Sequence, residues 1–384
     1  MNKPQITSKL PTVGTTIFTV MSKLATDCGA LNLSQGFPSF DCSPNLVDLV
    51  TKYMKKGMNQ YAPMAGVQSL REIIAAKTEK LYGVKFDANT EITVTSGATE
   101  VIFAAVAATI NLGDEVIVFE PAYDSYIPAI ELAGGKPVYI TLTPQNGYKI
   151  DWTEVKNRVS EKTKMIMLTT PHNPVGTVLS QDDLNALANI VRDTNILILS
   201  DEVYEHIIFD GNQHHSLITH PVLKDRKFIC NSFGKTFHVT GWKIGYCIAA
   251  EPLTTEFRKV HQFLTFSSNT PVQFALAEFL ENEQNYLNLP QFYEEKRDKF
   301  LKSIASSRFK FVPSAGSFFQ SLDYSAITDE NDYDLAIRLT KEIGVASIPL
   351  SVFYHQRNDY KMLRFCFAKD DEMLEMAGER LCKL

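Results

Sequence analysis

The chain has 384 residues, 45% of them hydrophobic and 21% charged, with a formal net charge of −6. That length allows a sizeable core and two domains, and the composition is that of an ordinary globular protein. The mildly acidic balance, with no block of five or more like charges, gives no electrostatic case for nucleic acid or an anionic membrane as partner.

Cys28, Cys42, Cys230, Cys247, Cys366 and Cys382 are scattered singly, without a C-x-x-C pair or the histidine spacing of a zinc site. They read as buried, reduced core residues, and no metal is expected. The segment Met1-Asn-Lys-Pro-Gln-Ile6 lacks the apolar run of a signal peptide. The longest such run, Val101–Ala108, is far short of the ~20 residues that cross a bilayer. A soluble cytoplasmic protein is expected.

The first 30 or so residues read as an arm with little core of its own. From about residue 90 to 280, short runs rich in Val and Ile alternate with helical patterns. Strands are expected at Ile92–Thr95, Glu115–Phe119, Pro137–Leu142, Met165–Thr169, Ile196–Ser200, Phe228–Asn231 and Ile244–Ala249. Helices are expected at Glu100–Ile110, Ser125–Leu132, Thr153–Val159 and Asp182–Val191. This alternation predicts an α/β fold with a doubly wound, mostly parallel seven-stranded sheet, which would place a ligand at the strands' carboxyl ends. Beyond residue 280 come a helix at Pro290–Ser306, strands at Phe309–Val312 and Phe318–Leu322, a helix at Tyr333–Glu342, a strand at Leu363–Phe367 and a helix at Glu372–Cys382. The expected division is 1–40 as arm and part of a small domain, 41–280 as a large domain, and 281–384 as a smaller α/β domain.

The most informative segment is Ser232-Phe-Gly-Lys-Thr-Phe-His-Val-Thr-Gly-Trp-Lys-Ile-Gly-Tyr246. Lys235 has a serine three residues before it and a second cation, Lys243, eight residues after it. The amine suits a Schiff base, while Ser232 and Lys243 suit a phosphate. Pyridoxal 5'-phosphate (PLP) is the common cofactor with both an aldehyde and a phosphate. Thr95-Ser-Gly-Ala-Thr99 ends one expected strand and opens a helix, so the amides of Gly97, Ala98 and Thr99 suit an anion.

Asn173, in Pro171-His-Asn-Pro-Val-Gly176, follows another strand and can donate to a phenolate oxygen. Asp201 is the first charge as the apolar run Ile196–Leu199 ends, and a carboxylate there can keep a pyridine nitrogen protonated. Tyr204, three residues on, can donate to the same phenolate. Tyr123 suits stacking on a planar ring, and Tyr61 lies in an extended polar segment before the sheet. Arg364, inside the apolar strand Met362–Ala368, is costly to bury unless paired and suits a substrate carboxylate.

These residues, together with Ser34-Gln-Gly-Phe-Pro38, Asn59-Gln-Tyr-Ala-Pro63, Thr240-Gly-Trp-Lys243 and Ile348-Pro-Leu-Ser351, resemble the fold-type I PLP-dependent aminotransferases of class I/II. The likeness is to the branch containing kynurenine aminotransferase/glutamine transaminase K and the bacterial methionine aminotransferases. It implies Lys235 as the Schiff-base lysine, Asp201 as the partner of the pyridine nitrogen, and Tyr204 and Asn173 at the phenolate. It further implies Gly97–Thr99, Ser232 and Lys243 at the phosphate, and Arg364 with Gly36 and Asn173 at the substrate α-carboxylate. A tyrosine at the position of Tyr61 reaches the phosphate from the neighbouring subunit in that family, which implies a homodimer with sites at the interface. Many relatives have two glycines and then a lysine or tyrosine where this chain has Ser96-Gly-Ala-Thr99, and an asparagine at the position of His172.

The activity so implied is ping-pong transfer of an amino group to a 2-oxo acid. Phe18, Tyr61, Phe266 and Phe353 would line an apolar pocket, favouring methionine, phenylalanine, glutamine or kynurenine as donor. The same lysine chemistry would also serve a carbon–sulfur β-lyase of cysteine conjugates, and a PLP-binding regulatory protein without turnover is the reading from a different class.

Overall fold

Short Val- and Ile-rich runs, each closed by a polar turn, build the central sheet. In the computed structural model, which describes residues 5–384, β1 is Leu31–Asn32, β2 Ile92–Thr95, β3 Glu115–Glu120, β4 Lys136–Thr141, β5 Thr163–Thr169, β6 Leu197–Asp201, β7 Lys227–Ser232 and β8 Gly245–Ala249. Strands β2 to β8 form one seven-stranded sheet in the spatial order β2-β8-β7-β6-β5-β3-β4. Every pairing is parallel except the two made by β8. Ile166, Ile198, Leu199, Phe228 and Ile229 are wholly buried, as expected where helices cover both faces of a parallel sheet.

The helices Ala98–Thr109, Tyr126–Leu132, Trp152–Arg158 and Gln181–Val191 lie within a few residues of their expected positions. The last opens with a capping box in which Ser180 and Asp183 bond each other's backbone amides, a device worth about 1 kcal/mol. Four more helices, Pro44–Lys55, Gln68–Tyr82, Glu251–Leu264 and Thr270–Leu280, were not read from the sequence. Gln68–Tyr82 explains why: it buries Arg71 and Lys77 beside Leu70 and Ile74, so charges interrupt its apolar stripe.

The C-terminal region has the helix Leu289–Ser303, β9 Phe319–Asp323, the helix Asp332–Arg338, β10 Val345–Ala346, β11 Ile348–Pro349, β12 Met362–Cys366 and the helix Asp371–Leu381. Strands β11, β12 and β9 form an antiparallel sheet in that order. The expected strand Phe309–Val312 does not form. Only Lys310 bridges to Asp323, and Pro313, which has no amide hydrogen, follows at once. The helix expected at Tyr333–Glu342 is α-helical to Arg338 and then widens into a π-helical turn, Leu339–Ile343.

Residues 5–30 are more than an arm. Thr16 caps a helix, Ile17–Cys28, that buries Met21 and Ala25 and ends at the left-handed Gly29. It packs on β10 and the π-helical turn, and β1 pairs in parallel with β10. The cysteines are all free among the described residues, but only Cys230, Cys247 and Cys366 are buried; Cys28 is exposed. No helix of the described residues is long and apolar enough to cross a membrane.

Strand β8 brings the sheet's edge together. Gly245 pairs with Thr95 on one side and Ser232 on the other. A Cβ at Gly245 would lie 2.5 Å from the Asn231 carbonyl and 3.1 Å from the Ala98 amide nitrogen. Gly245→Ala is therefore expected to lower stability by ~1–3 kcal/mol, measured by chemical denaturation.

Candidate active site

The register of β8 determines what meets at the sheet's carboxyl edge. Because Gly245 is level with Thr95 and Ser232, the residues just before it overhang the turn after β2 and the turn after β7. Lys243 takes a left-handed conformation there, with φ of 51°. Its Nζ lies 3.6 Å from where a Cβ on Gly97 would be, and Gly97 itself has φ of 81°. Gly97 thus leaves an open cradle between a helix N-terminus and an ammonium group, which suits a phosphate.

A cavity of about 150 Å³ lies along this edge. Gly97, Ala98, Thr99, Ser232 and Lys243 line one part, and Tyr123, Asn173, Asp201, Tyr204 and Lys235 line the rest. A wider cleft of about 580 Å³, bordered by His206, Tyr286 and Glu294, opens elsewhere, and no lysine lines it.

Lys235 sits in the short helix Phe233–Thr236 directly after β7. Its Nζ donates to the Gly36 carbonyl at 3.0 Å. Burial, aided by the nearby Arg364 and Lys243 charges, pushes its pKa down to about 8. An amine so poised is neutral often enough to attack an aldehyde.

Asp201 ends β6 and is 5% exposed. It accepts from the Tyr126 hydroxyl at 2.7 Å and the Val203 amide at 3.3 Å. Both donors are neutral, and burial pushes its pKa up to about 6 despite them. A buried carboxylate held only by neutral groups calls for a cation, and a protonated pyridine nitrogen is one. On these observations the residues fit PLP.

Arg364, on β12, is 1% exposed, and burial pushes its pKa down to about 10. One terminal nitrogen donates to Asn173 Oδ1 at 3.1 Å and the other to the Ser34 carbonyl at 2.9 Å. Its guanidinium lies 4.0 Å from the Phe319 ring centre and 5.3 Å from those of Phe18 and Phe353. Asp124 is near enough for its charge to act on the guanidinium, but no carboxylate bonds it among the described residues, so neutral acceptors and aromatic faces leave its desolvation only partly offset. Gly36 is close by because the Phe319 ring occupies the space a Cβ would need, 2.8 Å away.

Gly36, Arg364, Phe18 and Phe353 adjoin the cavity through Lys235 and Asn173 without lining it, and two further expected residues lie apart from both. Tyr61 is 85% exposed and Phe266 41% exposed, and they pack edge to face with ring centres 5.5 Å apart. Within one chain, therefore, Phe266 and Tyr61 do not join Phe18 and Phe353 in the pocket around Arg364. His172 is buried with neither ring nitrogen hydrogen-bonded among the described residues, and burial holds its pKa down at about 4. Its backbone closes the Asn173 turn through the Thr177 carbonyl and the Gly176 amide.

Sequence reasoning missed Tyr126, Thr240 and Phe319. Tyr126 reads as a core aromatic in a helix, and only its 2.7 Å bond to Asp201 reveals it. Thr240 lines the cavity, and its place in Thr240-Gly-Trp-Lys243 was the available signal.

An electrophile-ready lysine, a buried carboxylate and a cationic phosphate cradle on the carboxyl edge of a doubly wound sheet define a PLP-dependent enzyme. The aminotransferase class I and II family profile matches residues 29–381. The methionine aminotransferase of Escherichia coli is 50% identical over 385 residues, covering all of both chains. Its crystal structure superposes with a TM-score of 0.97 over 99% of this chain and 100% of that one. The kynurenine–oxoglutarate transaminase of Dictyostelium discoideum is 36% identical, covering 97% of this chain and 94% of its own. This chain belongs to the class I and II aminotransferases, which use PLP.

The depressed pKa has a direct readout. In cofactor-free protein, modification of Lys235 by an amine-reactive reagent is expected to accelerate as pH rises through about 8, well below the ~10.4 of an ordinary lysine. A labelling profile followed by peptide mass spectrometry measures it.

Proposed function

We propose that this enzyme transfers the amino group of methionine or a similarly apolar or aromatic L-amino acid, glutamine and kynurenine included, to a 2-oxo acid in the cytoplasm. The supporting observation is the setting of Arg364, a buried cation to which no carboxylate is bonded among the described residues, faced by Phe18, Phe319 and Phe353. One carboxylate satisfies the guanidinium, and the remaining substrate surface meets aromatic rings. The E. coli methionine aminotransferase, half identical along its full length, supports the same choice.

When bound, PLP supplies an aldehyde to take the amino group and a ring to draw electrons from the substrate's α-carbon. Asp201 would hold a proton on the ring nitrogen. Tyr204 and Asn173 would donate to the phenolate oxygen, and Tyr123 would face the ring. Gly97, Ala98, Thr99, Ser232 and Lys243, which line the same cavity, would hold the phosphate. Arg364 orients the substrate through its carboxylate, aided by Gly36 and Asn173. Lys235 Nζ, neutral above about pH 8 by virtue of its burial, removes the α-proton as a general base.

The reading extends to a homodimer in which Tyr61 and Phe266 complete the partner's site. Their exposure and mutual packing support it, as does Phe263, 85% exposed on the same helix end. The reading keeps a large domain, 41–280, and a smaller one, 281–384, joined by part of the first 40 residues; the approach of Phe18 to Arg364 supports that last assignment.

Lys235→Ala is expected to lower kcat by ~1,000-fold or more, measured with methionine and a 2-oxo acid; parental turnover would overturn the assignment. Arg364→Ala is expected to raise KM for amino acids by about 100-fold, the effect of ~3 kcal/mol, with a smaller change in kcat. Each common amino acid, added singly while the bound cofactor's absorbance is followed, ranks the donors. Aspartate ahead of methionine and phenylalanine would defeat the substrate reading, and oxo-acid release that needs no acceptor would point to carbon–sulfur elimination.

A further inference from the structure

Behind the phosphate cradle lies a buried pair that the mechanism does not use. Glu100 is in the first turn of the helix Ala98–Thr109 and is 7% exposed. One of its carboxyl oxygens accepts the Ser96 amide, and the other meets Nδ1 of His261. His261 lies near the end of the helix Glu251–Leu264 and is wholly buried. Its Nε2 is 2.8 Å from the Met64 carbonyl.

The proton count of this pair follows from its partners. A carbonyl oxygen only accepts, so His261 Nε2 carries a hydrogen. The contact between Nδ1 and the carboxyl oxygen then requires one more proton, because two bare acceptors would repel. Whether that proton rests on nitrogen or oxygen, the pair as a whole is neutral. Without His261, a carboxylate would stand one helical turn from the site of a phosphate dianion, at the helix end where an anion is to bind.

We propose that His261 is a positioning residue for the phosphate-binding turn: by sharing a proton with Glu100, it cancels that charge and lets Glu100 hold the Ser96 amide away from the cavity. Gly97, Ala98 and Thr99 line the cavity while Ser96 does not. The same residue reaches the second layer of the site. It grips the Met64 carbonyl three residues beyond Tyr61, and its own carbonyl accepts the amides of Thr265 and Phe266. The phosphate turn and the segment after Tyr61 are thereby fastened to one imidazole, and Phe266 to the same residue's backbone. The inference rests on the assignment of the phosphate to the Gly97–Thr99 turn.

The test follows loss of PLP from the holoenzyme during dialysis against inorganic phosphate, read as the visible absorbance that stays with the protein. His261→Ala is expected to release PLP roughly ten- to a hundredfold faster, since it strands a buried carboxylate beside the phosphate. Glu100→Gln should stay within roughly threefold of the parent, because its amide can accept from Ser96 and donate to Nδ1. The double variant His261→Ala with Glu100→Gln should recover most of the retention, which mere loss of packing would not allow. Parental retention by His261→Ala, or a double variant as fast as the single one, overturns the proposal.

Lys243→Ala separates the two layers of the argument. If it too retains PLP like the parent, the phosphate assignment falls and the inference with it. If it releases PLP quickly while His261→Ala does not, only the inference falls. Should His261→Ala not fold, His261→Gln, which keeps bulk and donors but cannot carry the extra proton, takes its place with the same two outcomes.

Discussion

Strand β8 has to pass between β2 and β7 with no side chain at Gly245, and the site depends on that close approach. A Cβ there would lie 3.1 Å from the Ala98 amide nitrogen. Such contact leaves Lys243 nowhere to go but over the turn that Gly97 opens. Ser232 is brought level with Thr95 by the same pairing. Three segments that are more than a hundred residues apart at their extremes thus share one anion cradle, and antiparallel hydrogen bonding, not any attraction between their side chains, sets their spacing.

Electrostatics divides the site into two unlike halves. Lys235, Lys243 and Arg364 give it positive charge, and burial presses the first and last of these toward neutrality, Lys235 to about 8 and Arg364 to about 10. Asp201 is the opposing carboxylate, pushed up to about 6 by burial, which its two neutral donors offset only in part. Each group is held in a state that water would not favour, and each would be relieved by a ligand of opposite charge. Cofactor and substrate so replace the solvent that folding removed. The buried pair of Glu100 and His261 follows the same rule, with charge cancelled within the protein where a ligand phosphate needs a neutral backing.

Much of the fold was legible because a parallel strand buried on both faces demands an unbroken apolar run, and Val116–Phe119 and Met165–Leu168 carry one. The helices that were missed, such as Gln68–Tyr82, bury charged residues that blur the apolar period. Lys77 is among them, bonded to Glu205 from the turn after β6. The strand expected at Phe309–Val312 had the right composition but met a proline where a ladder partner was needed. At the N-terminus, the helix Ile17–Cys28 looked coreless because the core it buries comes from residues beyond 330.

Lys235, Asp201, Asn173, Tyr204 and Arg364 were legible for a chemical reason. An amine, a carboxylate or a guanidinium within or just after an apolar strand is too costly to place there without a use. Sequence alone therefore determined which groups the site offers, and the proposed roles follow from them: an amine for an aldehyde, a cradle for a phosphate and a cation for a carboxylate. Tertiary structure alone decided which residues stand behind those groups. Tyr126 on Asp201, Phe319 on Arg364 and His261 on Glu100 are contacts across 75, 45 and 161 residues of chain. A hydroxyl, a ring or an imidazole is ordinary in its own helix or strand, and acquires its role only when packing supplies the partner.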